Sequence, residues 1–149
     1  GQRLQTEKFS AVMPQLLESL EAAGWDKAAK AIMTTDTVEK IFSRQTQING
    51  KTVTVTGISK GSGMIHPDMA TMLAFVMTDA CLADGLLEGV LEKSVKASFN
   101  RITVDRDTST NDMALLLASG VAGNDVIAEG SEDLERFNRA LDEPFLSLK

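Results

Sequence analysis

The run Lys60-Gly61-Ser62-Gly63-Met64-Ile65-His66-Pro67-Asp68-Met69-Ala70-Thr71 passes from a glycine-rich turn, through a proline-containing loop, to a threonine behind a small residue. The apolar segment Met72-Leu73-Ala74-Phe75 follows directly. The small side chain of Ala70 leaves room for the Thr71 hydroxyl to attack the carbonyl that precedes it. A backbone cut between Ala70 and Thr71 would give one residue both a hydroxyl nucleophile and an α-amine. The amine's ordinary pKa is about 7.7–8.0, so part of it is neutral near pH 7 and can serve as the base. Acyl transfer is therefore the first chemistry to expect. Hydrolysis, with water as acceptor, uses the same nucleophile, and Thr71 alone does not separate the two. The plain alternative is a β-branched strand residue with no chemical duty.

Other residue types exclude more than they offer. Gly57-Ile58-Ser59-Lys60-Gly61-Ser62-Gly63 has its lysine before the glycine, whereas a phosphate-cradling loop needs Gly-Lys-Ser/Thr leading into a helix. Gly61-Ser62-Gly63 still allows close approach of backbone to a ligand. The acidic stretch from Asp105 to Asp112 has Thr110 where a calcium loop needs its glycine and Leu116 where it needs the bidentate acid. It reads as a turn between strands. His66 is the only histidine, which rules out a histidine triad and a multi-histidine metal site in this chain. Cys81 follows an apolar run and reads as a small core residue, with no base beside it to make it a nucleophile.

These residues need elements to place them. Glu7 to Ala23 has helical spacing, with Phe9, Val12, Met13, Leu16, Leu17 and Leu20 on one face for burial, and Gly24 as a stop. Asp26 is placed to cap a short second helix through Ala31 and Ile32. Two alternating runs between Glu39 and Ile58 flank Asn49-Gly50, a strong hairpin signal, and Thr52 to Thr56 is β-branched throughout. Thr71 to Asp79 reads as a buried strand, with helix as the alternative for so short an apolar run. Leu86 to Phe99 predicts an amphipathic helix burying Leu87, Val90, Leu91, Val95 and Phe99. Strands are expected over Ile102–Val104 and Met113–Ala118. Ser131 is the expected N-cap of a last helix with Leu134, Phe137 and Leu141 on its apolar stripe, ended by Pro144. The mixture predicts an α/β-type (α+β) layered domain with a mostly antiparallel sheet packed with helices.

The chain has 149 residues, 43% of them hydrophobic, enough for a single domain with its own core. Fifteen basic and 21 acidic residues give a net charge of −6. With no basic cluster, nucleic acid and anionic membrane surfaces are not expected partners. No apolar run has the length of a membrane span, and no signal peptide is visible. The single cysteine rules out an internal disulfide framework and fits a reducing cytoplasm.

Three blocks together resemble one family. They are Met33-Thr34-Thr35-Asp36-Thr37, the Lys60–Thr71 run, and Ser109-Thr110-Asn111-Asp112 followed by Met113 to Gly120. In this order and spacing they are similar to the ornithine acetyltransferase (glutamate N-acetyltransferase) family, the bifunctional acetyltransferases of arginine biosynthesis. The resemblance implies an N-terminal-nucleophile-like acyltransferase fold and self-cleavage at Ala70–Thr71. An acetyl-Thr71 intermediate would carry the acetyl group from N-acetylornithine to glutamate, without cofactor or metal. It implies Thr34 and Lys60 as substrate-binding residues. A cation at Lys60 suits a substrate carboxylate and disfavours protonation of the Thr71 amine. The Thr34 hydroxyl both donates and accepts hydrogen bonds. Their plain alternatives are a solvated turn lysine and a Thr/Asp cluster in which Asp36 or Thr37 caps a helix or forms a turn before Val38. Ser109 to Asp112 is a family signature, expected to structure the site without a catalytic role.

The resemblance further implies a cytoplasmic enzyme assembled as an oligomer of cleaved α/β heterodimers. Residues 1–70 would end the α chain and residues 71–149 would begin the β chain. Acetyl-CoA is a second donor in some members. The family's chains extend beyond both Gly1 and Lys149, with an oxyanion-hole Thr-Gly pair upstream and an acidic substrate contact downstream. This chain is thus expected to be a partial domain, truncated at both ends. Loss of one oxyanion donor costs about 2.7–4 kcal/mol, so the isolated chain is expected to be a poor catalyst. Two other readings are an N-terminal-threonine amidase or aminopeptidase, and an inactive fragment of the acetyltransferase that binds or assembles.

Overall fold

The fold comes from a computed structural model and is described for residues 3–62, 72–101 and 111–147. Two helices, α1 (Thr6–Glu18) and α2 (Trp25–Ile32), precede the hairpin of β1 (Lys40–Ile48) and β2 (Lys51–Lys60). Strand β3 (Leu73–Thr78), helix α3 (Leu86–Ala97), strand β4 (Met113–Ala118) and helix α4 (Glu132–Ser147) follow, with a short 3₁₀ turn over Phe99–Arg101. The four strands lie in the order β1-β2-β3-β4. The two junctions β1–β2 and β2–β3 are antiparallel, and β3–β4 is parallel. The sheet is mixed, with antiparallel pairing predominant. The parallel pair needs a crossover, which α3 supplies.

The hairpin forms where Asn-Gly predicts it. Asn49 and Gly50 both have positive φ, 48° and 73°, the turn whose twist matches that of the flanking strands. Val53 and Val55 alternate inward from β2 and are fully buried. They share a core with Ile48, Ala74, Val76, Leu116, Val90, Val95, Phe99, Phe137 and Leu141. Helices α3 and α4 cover this face, with Leu87, Leu91 and Leu134 partly buried against it. Phe42 lies opposite Gly57, and its ring occupies the space that a side chain at 57 would fill. Ser131 caps α4 as expected: its Oγ accepts the N–H of Leu134 at 3.1 Å.

Several expectations are corrected. Helix α1 ends at Glu18, short of Ala23, and its apolar face is not buried among the described residues. Phe9 is 59% exposed and Leu17 63%. Periodicity identifies which face of a helix is apolar, whereas burial needs a surface to meet it. Gly24 does not terminate α1. It occupies the N-cap position of α2, and Asp26 lies in the first turn. Pro144 does not end α4, which continues to Ser147. Proline's fixed φ suits a helix, and its cost is a missing hydrogen bond and crowding of the preceding turn. Cys81 is half-buried rather than a core residue. Its backbone N–H and C=O are both engaged by the side-chain amide of Asn124, at 2.9 and 3.1 Å. The strand expected over Ile102–Val104, His66, and most of the acidic stretch from Asp105 lie outside the described residues.

Helix α2 packs on the opposite face of the sheet, over β2 and β1. That face also carries Met77, Leu115 and Leu117, which stay substantially exposed. Among the described residues no helix is long and apolar enough to cross a membrane.

Candidate active site

The strand register collects the chemically interesting segments at one end of the sheet. Lys40, the first residue of β1, pairs with Ser59 near the end of β2. Lys60, the last residue of β2, pairs with Leu73 at the start of β3. Leu73 in turn pairs with Met113 at the start of β4. The Lys60 turn, the segment just after Thr71 and the segment just after Asn111-Asp112 are therefore neighbours. An apolar hollow lined by Trp25, Thr54, Met77, Leu117 and Ser119 opens at the other end of the same strands, away from these residues.

Asp36 organises this end. Its carboxylate is only 1% exposed and has three donors. Lys40 Nζ donates to Oδ1 at 2.7 Å, the Gly61 N–H donates to the same oxygen at 2.8 Å, and the Thr34 N–H reaches Oδ2 at 3.4 Å. Lys40 Nζ also donates to the Gly61 carbonyl at 2.8 Å, so Gly61 is held through both of its backbone groups. Burial alone would raise the pKa of Asp36. The hydrogen bonds from Lys40, Gly61 and Thr34 and the charge of Lys40 outweigh it and hold the carboxyl below its ordinary value. A second link joins the same two loops: the hydroxyls of Thr35 and Ser62 lie 2.7 Å apart.

This arrangement brings the two expected binding segments together. Thr34 is exposed, in the loop between α2 and β1, and Lys60 is half-buried at the end of β2. Asp36 does not cap a helix before Val38, because residues 33–39 form the loop that leads into β1. Instead it fastens that loop to the Lys60-Gly61-Ser62 turn. The sequence contained the Asp36/Lys40 spacing, but its meaning depended on Gly61, 25 residues away. A hydroxyl at Thr34 and an ammonium at Lys60, carried on loops fixed to each other, suit a small ligand that bears a carboxylate.

On the other side of Lys60, the backbone of Met72 is held at both ends. Its N–H donates to Asp112 Oδ1 at 2.7 Å, and its carbonyl accepts the N–H of Met113 at 3.0 Å. Its side chain is buried in the core. Nothing in the sequence signals the Asp112 bond beyond membership of the Ser109–Asp112 block. Ala70 and Thr71 lie outside the described residues. Among those described, no group of three or more His, Cys, Asp or Glu side chains is placed to hold a metal ion.

A model of the ArgJ family matches residues 1–149. The arginine biosynthesis bifunctional protein ArgJ of Methylococcus capsulatus is 52% identical over 142 residues, covering 95% of this chain and 35% of the relative. The protein of the same name from Geobacillus kaustophilus is 50% identical over 141 residues, covering 95% of this chain and 34% of the relative. The chain thus spans about a third of the length of the curated relatives it matches. A solved structure of arginine biosynthesis bifunctional protein ArgJ from Bacillus halodurans is 44% identical, with a TM-score of 0.47 over 50% of this chain and 35% of that one.

Proposed function

The chain belongs to the ArgJ family, and from that membership we propose that it is the central segment of an acetyltransferase of arginine biosynthesis. Thr71 is the nucleophile in this reading. In processing, its hydroxyl attacks the Ala70 carbonyl, the C–N bond of the Ala70–Thr71 peptide breaks, and the freed α-amine takes the hydroxyl proton. Water then hydrolyses the resulting ester, leaving an Ala70 carboxylate and restoring the hydroxyl.

In transfer, the neutral α-amine of Thr71 receives the hydroxyl proton as Oγ attacks the acetyl carbonyl of N-acetylornithine. Ornithine leaves as the amine, taking up that proton. The neutral amine of glutamate then attacks the acetyl ester, and Thr71 regains its hydroxyl. One difficult acyl transfer is divided into two easier ones. Thr34 and Lys60 bind the substrates at the same sheet end, Lys60 by its charge and Thr34 by its hydroxyl. The full-length polypeptide works as an oligomer of cleaved heterodimers.

The observation that carries this reading is the pairing of Lys60 with Leu73. It sets the Lys60 turn beside the strand that begins two residues after Thr71. The test is the intact mass of the denatured full-length protein and of its Thr71→Ala variant. The wild type is expected as two pieces, the second beginning at Thr71, and the variant as one. Two pieces from the variant would refute the nucleophile. Acetyl transfer from N-acetylornithine is expected only with glutamate present, and donor consumption at the same rate without glutamate would make the enzyme a hydrolase.

A further inference from the structure

We infer that Asp112 is the positioning residue for the nucleophile, an inference that rests on the reading of Thr71 given above. The amide accepted by Asp112 is that of Met72, the first peptide N–H after Thr71. The Met72 carbonyl is bonded to Met113 N–H, and the next residue, Leu73, enters the ladder between Lys60 and Met113. The Met72 side chain is 3% exposed within the core. Both backbone polar groups of Met72 and its side chain are thus held, and Asp112 holds the group nearest to Thr71. The peptide plane that holds the Met72 N–H also holds the Thr71 carbonyl and reaches its Cα. Holding that plane gives the chain a fixed anchor at the Cα–C bond of Thr71, the bond about which its hydroxyl and α-amine turn.

Strand pairing does not supply this bond. The β3 ladder begins at Leu73, so the Met72 N–H lies beyond it and needs an acceptor of its own. Asp112 immediately precedes β4, at the position where a side chain can reach across to β3 where the backbone of β4 does not. A carboxylate accepting a backbone N–H makes one of the stronger hydrogen bonds available. Misplacement of a reacting group by about 1 Å can cost about a hundredfold in rate. Asp112 therefore acts on the turnover step and on self-cleavage, and leaves binding by Thr34 and Lys60 alone.

The test uses the full-length polypeptide with Asp112→Ala, Asp112→Asn and, as control, Thr71→Ala. Processing rate, kcat and KM for N-acetylornithine are measured, with a thermal melt on each protein. Asp112→Ala is expected to lower processing and kcat at least tenfold with KM within about twofold of wild type. Asp112→Asn keeps an oxygen acceptor at the same place and is expected to stay within tenfold. Wild-type processing and kcat in Asp112→Ala would overturn the proposal, as would an equal loss in Asp112→Asn, which would assign the effect to charge. If Asp112→Ala does not fold, Asp112→Glu replaces it, because it keeps the charge and moves the acceptor by one methylene. The same tenfold loss with unchanged KM is then expected, and wild-type kcat would overturn the proposal. Cleavage and transfer persisting in Thr71→Ala would instead sink the nucleophile reading itself, whatever the Asp112 variants do.

Discussion

The Asp36 carboxylate and the Gly61 backbone N–H, 25 residues apart in sequence, meet at 2.8 Å. Lys40 closes the arrangement by donating both to that carboxylate and to the Gly61 carbonyl. The loop that leads into β1 and the turn that leaves β2, side by side at the open end of the hairpin, are thereby fixed as one unit. Thr34 and Lys60 hold their relative places because of residues that touch no substrate in the proposed chemistry.

Replacing Asp36 by alanine leaves the Lys40 ammonium, itself only 14% exposed, without its counter-charge. Breaking such a pair costs about 3–5 kcal/mol. A lowered urea midpoint with unchanged slope is the expected result. A change within about 0.5 kcal/mol would mean that the network contributes nothing to the fold.

The same carboxylate makes stability depend on pH. Its folded pKa is lowered, so its contribution is complete above the unfolded value of about 3.9 and fades as pH falls below it, through the folded value. The stability gap between wild type and Asp36→Asn should be constant from neutral pH down to about 4 and then shrink. Urea titrations at several pH values would show this. A gap that widens in acid would contradict it.

Gly57→Ala should destabilise by steric overlap. The added Cβ would lie 2.5 Å from Phe42 Cε1 and 3.1 Å from the Phe75 carbonyl oxygen. Overpacking of this sort costs about 1–3 kcal/mol. Phe42→Leu is expected to recover only the part due to the ring, since the Phe75 oxygen belongs to the backbone. A double-mutant cycle measures that coupling.

Gly50→Ala should destabilise for a different reason. A Cβ at 50 would meet nothing within 4 Å, yet φ is +73°. The expected loss is about 1 kcal/mol, wholly conformational. Gly50→Asn is expected to lose less, because asparagine tolerates this region. Equal melting temperatures for the alanine and asparagine variants would argue against a conformational origin.

Local chemistry was legible in the sequence and distant partnership was not. Asn49-Gly50 encodes its own turn, and Ser131 caps a helix three residues away. Leu134, Phe137 and Leu141 followed from a 3.6-residue period. The face of α1 followed too, but its exposure did not, because a period carries no information about what lies opposite. The parallel register of β3 with β4 was invisible, since nothing in either six-residue run specifies direction. Asp36 suited a cap by residue type, and only the return of the chain at Gly61 reveals its use. Asp112 was marked as part of a block, and its bond to Met72, 40 residues away, gives that mark a physical content.

Strand β3 lies between β2 and β4, and the proposed scission falls just ahead of it. Residues 3–62 supply Ile48, Val53 and Val55 to the core, and residues 72–147 supply Ala74, Val76, Phe137 and Leu141. A cut before Thr71 would therefore turn one polypeptide into a two-chain complex whose contact surface is the protein's own interior. Each part, made alone, would present that interior to water. Were the proposed cut made, folding as one polypeptide beforehand would keep that interior covered throughout.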